Sequence, residues 1–279
     1  MTVARTLADL RMALRSPAAP VGLVPTMGYL HRGHISLVEA ARAECPTVVV
    51  SLFVNPTQFG PNEDFEDYPR DEDRDLDLLG DAGADIAFIP SVEEIYPAGD
   101  STRVRVGGLT EVLEGERRPG HFEGVATVVA RLFLMVAPDR AYFGEKDAQQ
   151  LAVLKRMTAD MQFPIEVVGC PTVREPDGLA LSSRNIYLTP EERAQAPALH
   201  AGLQAAVAAF ENGVRDASAL RAVVRDQLAA QPLAEIDYVS LADSETLMEL
   251  EGLIKPPALL SLAVRFGAAR LIDNVTLRA

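Results

Sequence analysis

The chain has 279 residues, 48% of them hydrophobic and 24% charged, an ordinary globular composition with enough apolar material for a sizeable core. A net charge of −14 without any Lys/Arg cluster disfavours nucleic acid or an anionic membrane surface as the main partner. The two cysteines, Cys45 and Cys170, lie too far apart for a metal or redox motif, which excludes a disulfide framework and predicts buried thiols in a reducing compartment.

The N-terminal segment MTVARTLADLRMALRS has apolar residues at helical spacing and lacks the continuous apolar core of a signal peptide. No run approaches the length of a membrane span, and the expected location is the cytoplasm. Val21–Ser36 (VGLVPTMGYLHRGHIS) reads as an apolar strand, a turn on Pro25, Thr26, Met27 and Gly28, and a helix opening near His34. His31 and His34, three residues apart at such a junction, face roughly the same way. With the N–H groups of a helix start they compose a phosphate site. An ordinary polar turn and half of a zinc site fit the same local pattern.

Thr47–Val54 (TVVVSLFV) has the β-branched content of a strand buried on both faces of a parallel sheet, so strand, helix and strand form a βαβ unit. Asn55-Pro56 ends it and places Asn55, Gln58 and Phe59 on the same rim as the histidines. The Gln58 amide both donates and accepts, which suits a hydroxy acid. Residues 62–77 (NEDFEDYPRDEDRDLD) are heavily acidic and read for the most part as a solvated face, with a helix from Arg70 carrying Leu76, Leu78 and Leu79 inward. Asp85–Pro90 is a third strand, and TRVRV at 102–106 predicts a small antiparallel excursion.

Arg117, Arg118, Pro119, Gly120 and His121 form a basic loop before a helix whose apolar face is Val125, Val128, Val129, Leu132 and Phe133. An anion contact and a surface turn are both compatible with that loop. Ala141–Gly144 is a fourth strand. Glu145, Lys146 and Asp147 open the next helix, where Lys146 opposes the helix dipole unless an anion sits beside it, and Gln150 follows one turn on. Ile165–Gly169 is a fifth strand, Pro176-Asp177-Gly178 a turn, and Ser182, Ser183 and Arg184 a set of donors suited to a polyphosphate. Thr189 is the better N-cap nearby, which leaves those three without that task. Two Ala-rich helices (190–211, 216–230) and three strands (Ile236–Leu241, Leu259–Phe266, Arg270–Leu277) then predict a separate small α+β domain. The expected organisation is a parallel-sheet α/β domain over 1–172 and a C-terminal α+β domain over 173–279.

Taken together, PTMGYLHRGH (25–34), FVNPTQF (53–59), YPR (68–70), RPGHFEGVATVV (118–129), FGEKDAQQ (143–150) and VREPDGLALSSRNIYL (173–188) resemble the pantothenate synthetase family, the pantoate–β-alanine ligases of the nucleotidylyltransferase superfamily. The resemblance implies a Rossmann-like parallel-sheet domain of the nucleotidylyltransferase type with a small C-terminal α+β lid, in a cytoplasmic homodimer. It implies two steps: pantoate and Mg-ATP give pantoyl adenylate and pyrophosphate, then β-alanine gives pantothenate and AMP. Carried over by position, ATP is held by Met27, Gly28, Tyr29, Leu30, His31, Arg32, Gly33 and His34. Further ATP contacts are Gly144, Glu145, Lys146 and Asp147, with Val173 near adenine and Leu181, Ser182, Ser183 and Arg184 on the phosphates. His34 is the implied proton donor, assisted by His31, Lys146 and Arg184. Gln58 and Gln150 grip pantoate, Gln58 also serves β-alanine, and no protein ligand to Mg²⁺ is implied. Tyr29, Leu181 and Ala148 depart from the family's usual small residue, methionine and aromatic.

A nucleotidylyltransferase acting on a phosphorylated acceptor shares the His-x-x-His junction but needs a basic acceptor pocket where this chain offers glutamines. An ATP-sensing regulator without turnover is the second alternative. P-loop and dinucleotide glycine fingerprints are both absent from the sequence.

Overall fold

A computed structural model describes residues 1–61, 63 and 65–278; Asn62 and Asp64 of the acidic run lie outside the described residues. The chain divides into two compact units, Met1–Glu145 with Gln149–Pro171 and Lys146–Ala148 with Thr172–Ala279.

The first unit is built on six parallel strands: β1 (Thr2–Ala4), β2 (Val21–Thr26), β3 (Thr47–Leu52), β4 (Ile86–Phe88), β5 (Arg140–Gly144) and β6 (Glu166–Cys170), in the order β1-β4-β3-β2-β5-β6. Its helices are α1 (Leu7–Ala13), α2 (Arg32–Glu44), α3 (Glu72–Asp81), α4 (Val92–Ile95), α5 (Glu114–Arg117), α6 (His121–Val136) and α7 (Ala148–Asp160). β3 is buried at every position, as its continuous apolar run requires. Val24, Val48 and Val50 pack with Leu37, Val38 and Ala41 of α2 and Leu79 of α3. The alternate residues Leu23 and Val49 point to the opposite face and are equally buried. The predicted apolar stripe of α6 is inside at all five positions, and α6 lies against β2 and α1.

Two local expectations need correction. The N-terminus opens with β1 and only then forms α1, because Thr2, Val3 and Ala4 pair with Ile86, Ala87 and Phe88 at the sheet edge. Residues 101–106 form no strand: Val104 N–H donates to Thr127 Oγ1 at 2.9 Å, a side-chain partner in place of a ladder. The acidic stretch is mostly exposed where described, and Asp75 on α3 is its buried carboxylate, 2% exposed.

The second unit packs α8 (Pro190–Gln195), α9 (Ala198–Glu211) and α10 (Ala217–Ala229) with the antiparallel sheet β7 (Glu235–Asp243), β8 (Ala258–Phe266) and β9 (Ala269–Leu277). The helix predicted over 190–211 is two helices, because Pro197 lacks the N–H to continue the first and starts the second. Among the described residues no helix is long and apolar enough to cross a membrane.

Candidate active site

Strand order reverses between β2 and its neighbour β5, so Thr26 and Gly144, the last residues of these strands, flank the topological switch point where open α/β sheets bind ligands. β2 runs into the turn Met27–Leu30 and then α2, which starts at Arg32, two residues before the expected opening near His34. His31 is the N-cap and His34 the third helical residue. His31 Nδ1 accepts from Gly33 N–H at 3.1 Å, and His34 Nδ1 accepts from His31 N–H at 3.3 Å. The two imidazoles therefore form a reciprocal capping box, a task usually given to a hydroxyl and a carboxylate. Their rings stack with centroids 4.1 Å apart.

This arrangement has a chemical consequence. A neutral imidazole accepts on one nitrogen and donates on the other. With both Nδ1 atoms accepting, both ring protons belong on Nε2, and each ring becomes an N–H donor at its outer edge. It also revises the picture of a helix start with freely available N–H groups. Gly33 N–H is used by His31, and Tyr29 N–H and Leu30 N–H are used by Asp75 at 2.6 and 2.7 Å. The Arg32 guanidinium turns onto Glu39 at 2.7 Å.

Gln58 reaches the same turn, its Nε2 donating to Met27 Sδ at 3.2 Å. Its position is set from behind by Asn55, which is 1% exposed and donates to Gln58 Oε1 at 3.0 Å and to the Gly124 carbonyl at 3.2 Å. Asn55 Oδ1 in turn accepts from Tyr96 Oη at 2.8 Å. Arg118 and His121 also serve this segment: His121 Nδ1 lies 2.8 Å from the Gln58 carbonyl and Arg118 Nη1 3.0 Å from His121 Nε2. Arg118 also pairs with Glu63 at 2.5 Å. Burial pushes the Glu63 carboxyl up, but the guanidinium outweighs it and holds the group below its ordinary value. The basic loop thus shapes the Gln58 turn.

Gly124 is the residue sequence reasoning passed over. A Cβ there would lie 2.4 Å from the Thr57 carbonyl oxygen and 2.7 Å from Gln58 N, so only glycine lets α6 approach this turn. An isolated glycine inside an apolar helix was the available signal. Gly124→Ala is expected to lower stability by ~1–3 kcal/mol through overpacking. A thermal melt checks this, and an unchanged midpoint would mean the turn yields without cost.

On α7, Gln150 is partly exposed, whereas its neighbour Gln149 is buried and pins the 109–114 segment through the Leu109 and Val112 carbonyls at 2.7 and 2.8 Å. Glu145 lies over Gly169 of β6.

In the second unit, Lys146 and Asp147 belong to the single 3₁₀ turn Glu145–Asp147, and the Lys146 carbonyl accepts from Asn274 Nδ2 of β9 at 2.8 Å. Val173 and Leu181 are brought together by Leu181 N–H donating to the Val173 carbonyl at 3.0 Å, the open end of a hairpin. Its turn is Pro176-Asp177-Gly178, with Gly178 at φ +94° and Gly178 N–H on the Glu175 carbonyl at 2.9 Å. Arg174 anchors the hairpin to β9 by a bidentate pair with Asp273 at 2.6 and 2.9 Å. Leu181 leads into Ser182, Ser183 and Arg184. Here too an expectation is corrected: Thr189 does cap α8, but Ser182 also caps, its Oγ accepting from Arg184 N–H at 3.3 Å to start the 3₁₀ turn Ser183–Tyr187. Among the described residues no group of three or more His, Cys, Asp or Glu side chains is arranged to hold a metal ion.

Comparison with known proteins gives a consistent result. The family model described as pantoate-β-alanine ligase matches residues 2–276. A pantothenate synthetase of Chloroflexus aggregans is 58% identical over 274 residues, covering 98% of this chain and 99% of the relative. The crystal structure of pantothenate synthetase from Thermus thermophilus superposes with a TM-score of 0.95 at 54% identity, covering 100% of both chains. The pantoate-β-alanine ligase of Francisella tularensis, crystallised with β,γ-ATP and β-alanine, gives a TM-score of 0.80 at 33% identity over 99% of this chain and 97% of that one.

Proposed function

The chain belongs to the pantoate–β-alanine ligase family, and from that premise we propose how its residues carry out the ATP-dependent ligation of pantoate and β-alanine. The pantoate carboxylate attacks the α-phosphorus of ATP, the bond to pyrophosphate breaks, and pantoyl adenylate forms. The β-alanine amine then attacks the acyl carbon, expels AMP and loses a proton, leaving the amide of pantothenate. Mg²⁺ would enter with ATP as part of the substrate and would supply positive charge to the phosphates, with no protein ligand of its own required.

The observation that supports this reading best is the stacked histidine pair at the end of β2, with both ring protons directed to Nε2. In-line attack at phosphorus spreads negative charge over the phosphate oxygens, so catalysis is mainly positioning and charge stabilisation. His34 Nε2–H is the proton donor in this scheme and His31 Nε2–H a second phosphate contact. The backbone of Met27–His34, together with Gly144 and Glu145, lines the ATP site. From the second unit, Lys146 contributes positive charge to phosphate and Asp147 binds the ribose. Val173 lies by the adenine, and Leu181, Ser182, Ser183 and Arg184 bind the phosphates. Gln58 and Gln150 hold pantoate, and Gln58 also meets β-alanine. We place the boundary between the two domains near residue 172. The family analogy further gives a homodimer, and a monomer mass by light scattering would remove that part.

The deciding experiment is ³¹P NMR on the protein with Mg-ATP, pantoate and β-alanine. AMP and pyrophosphate, dependent on pantoate, are expected. ADP and phosphate would mean an acyl-phosphate route and end the adenylate mechanism, and absence of turnover would favour an ATP-binding regulator. Within the same assay, Gln150→Ala is expected to raise the KM for pantoate well above any change in the KM for ATP. Equal effects on both would argue against a pantoate-specific contact.

A further inference from the structure

The turn that delivers His31 and His34 does not hold its own shape. Gly28 and Tyr29 are consecutive residues with left-handed backbone, φ +81° and +50°, and for tyrosine that region is strained. Successive residues of this kind rotate neighbouring N–H groups to one side and make a concavity that ordinarily takes an anion. Here the anion is supplied by the protein. Asp75, one turn into α3, accepts from Tyr29 N–H through Oδ2 at 2.6 Å and from Leu30 N–H through Oδ1 at 2.7 Å.

Asp75 is 2% exposed, whereas the acidic residues around it on this segment, Asp71, Glu72, Asp73 and Asp77, are exposed. Burying a carboxylate is unfavourable without partners, and here its partners are two backbone amides 45 and 46 residues away in the chain. Burial raises its carboxyl above the ordinary value, while the two amides and Arg74 favour the charged form. Arg74 grips the turn from the neighbouring position: its Nη2 donates to the Leu30 carbonyl at 2.9 Å, and its guanidinium lies 5.3 Å from the centre of the Tyr29 ring. This stacking also gives Tyr29, where the family resemblance predicts a small residue, a physical role. A Cβ at position 28 would stand 3.2 Å from Asp75 Oδ2, so the carboxylate fits tightly against the glycine.

We propose that Asp75, assisted by Arg74, is a positioning residue for the ATP-dependent step: by holding the Tyr29 and Leu30 amides it fixes the exit of β2, and with it the place of His31 and His34. The inference rests on the functional reading above. Neither side chain touches substrate in this scheme. Both act through the backbone immediately before His31, so their loss is felt where ATP is held. Gln150 sits on α7, and Gln58, although it touches the turn at Met27 Sδ, is held from behind by Asn55, so both keep their grip on pantoate.

Asp75→Asn is the test, because an amide of the same shape retains one acceptor and turns an N–H₂ toward the second backbone donor. Expected are a fall of about 30-fold or more in kcat/KM for ATP and a change of no more than about threefold in the KM for pantoate. In ¹H–¹⁵N spectra the Tyr29 and Leu30 amide protons should move upfield, together with the His34 ring signals, while signals of the second unit stay in place. A folded Asp75→Asn with wild-type ATP kinetics would overturn the proposal. So would KM values for ATP and pantoate rising together in step with a lower melting temperature, which is the mark of a purely structural role. If the variant does not fold, Arg74→Ala replaces it, since that side chain is 45% exposed. The expectation is then a three- to tenfold rise in the KM for ATP alone, and no rise overturns the proposal. Wild-type protein that makes no AMP would refute the functional reading instead, and the amide and ring shifts would still decide whether Asp75 places the histidines.

Discussion

His34→Ala is expected to reduce AMP formation from ATP and pantoate by about 10²-fold or more, the scale of a lost proton donor or charge-stabilising contact. The difficulty with alanine is that His34 has two tasks. Its Nδ1 closes the cap on His31 N–H at 3.3 Å, and its Nε2 carries the proposed donor. Loss of an N-cap partner alone costs ~0.5–2 kcal/mol, so alanine lowers stability and turnover together. Two further variants separate the tasks. Asparagine places an acceptor oxygen near the Nδ1 position and has nothing at Nε2, so His34→Asn should melt close to wild type while remaining as inactive as alanine. Glutamine extends an amide N–H toward the Nε2 position, so His34→Gln should recover part of the rate while losing the cap. Steady-state kinetics and thermal melts on the three proteins decide it. Wild-type turnover in His34→Asn would remove the imidazole from the mechanism and reduce it to a capping residue.

What the sequence made legible follows from how local each feature is. The wholly buried β3 announces itself because a strand covered on both faces has no polar positions, and the Pro-Asp-Gly turn because its backbone restricts the residues that fit. The class of fold, a parallel sheet followed by a small α+β unit, was therefore readable from pattern alone. β1 was not. Three residues, Thr2–Ala4, carry no periodicity, and their strand state is set by Ile86–Phe88, more than eighty residues on.

Within the site the same division holds. His31 and His34 are visible as a spaced pair, but their use as each other's helix cap is a matter of rotamers that composition does not encode. Asp75 was hidden by its neighbours, because one buried carboxylate in a run of acidic residues has the same letters as an exposed one. Gly124 escaped for a related reason, and so did the support that Asn55, itself placed on the rim, gives Gln58: the Asn55–Gly124 contact spans nearly seventy residues and is invisible until α6 is packed on the Asn55–Gln58 turn. Local rules predict which residues bear chemistry, and tertiary contacts decide which residues hold them in place.

Lys146→Met carries the second large expectation, and its strength is that stability and activity should part. Lys146 sits in the 3₁₀ turn that leads directly into α7, at the end of a helix where the dipole presents positive charge. A cation in a first helical turn is unfavourable by ~0.3–1 kcal/mol, so a neutral side chain of similar length should leave the melting temperature unchanged or slightly higher. The backbone at this position is anchored independently of the side chain, since the Lys146 carbonyl takes its hydrogen bond from Asn274. Under the proposed role, the ammonium instead serves the ATP phosphates, where charge builds up as pyrophosphate departs. Loss of a charge-stabilising contact of this kind costs ~2.7–4 kcal/mol of transition-state stabilisation, or about 10²–10³ in rate. The variant should therefore fold as well as the wild type and form AMP at least a hundredfold more slowly. Lys146→Arg should recover little, because a planar fork does not replace a compact point charge at one phosphate oxygen. A melting temperature well below wild type would show that the side chain stabilises the fold, and an unaltered rate would take Lys146 out of phosphate binding.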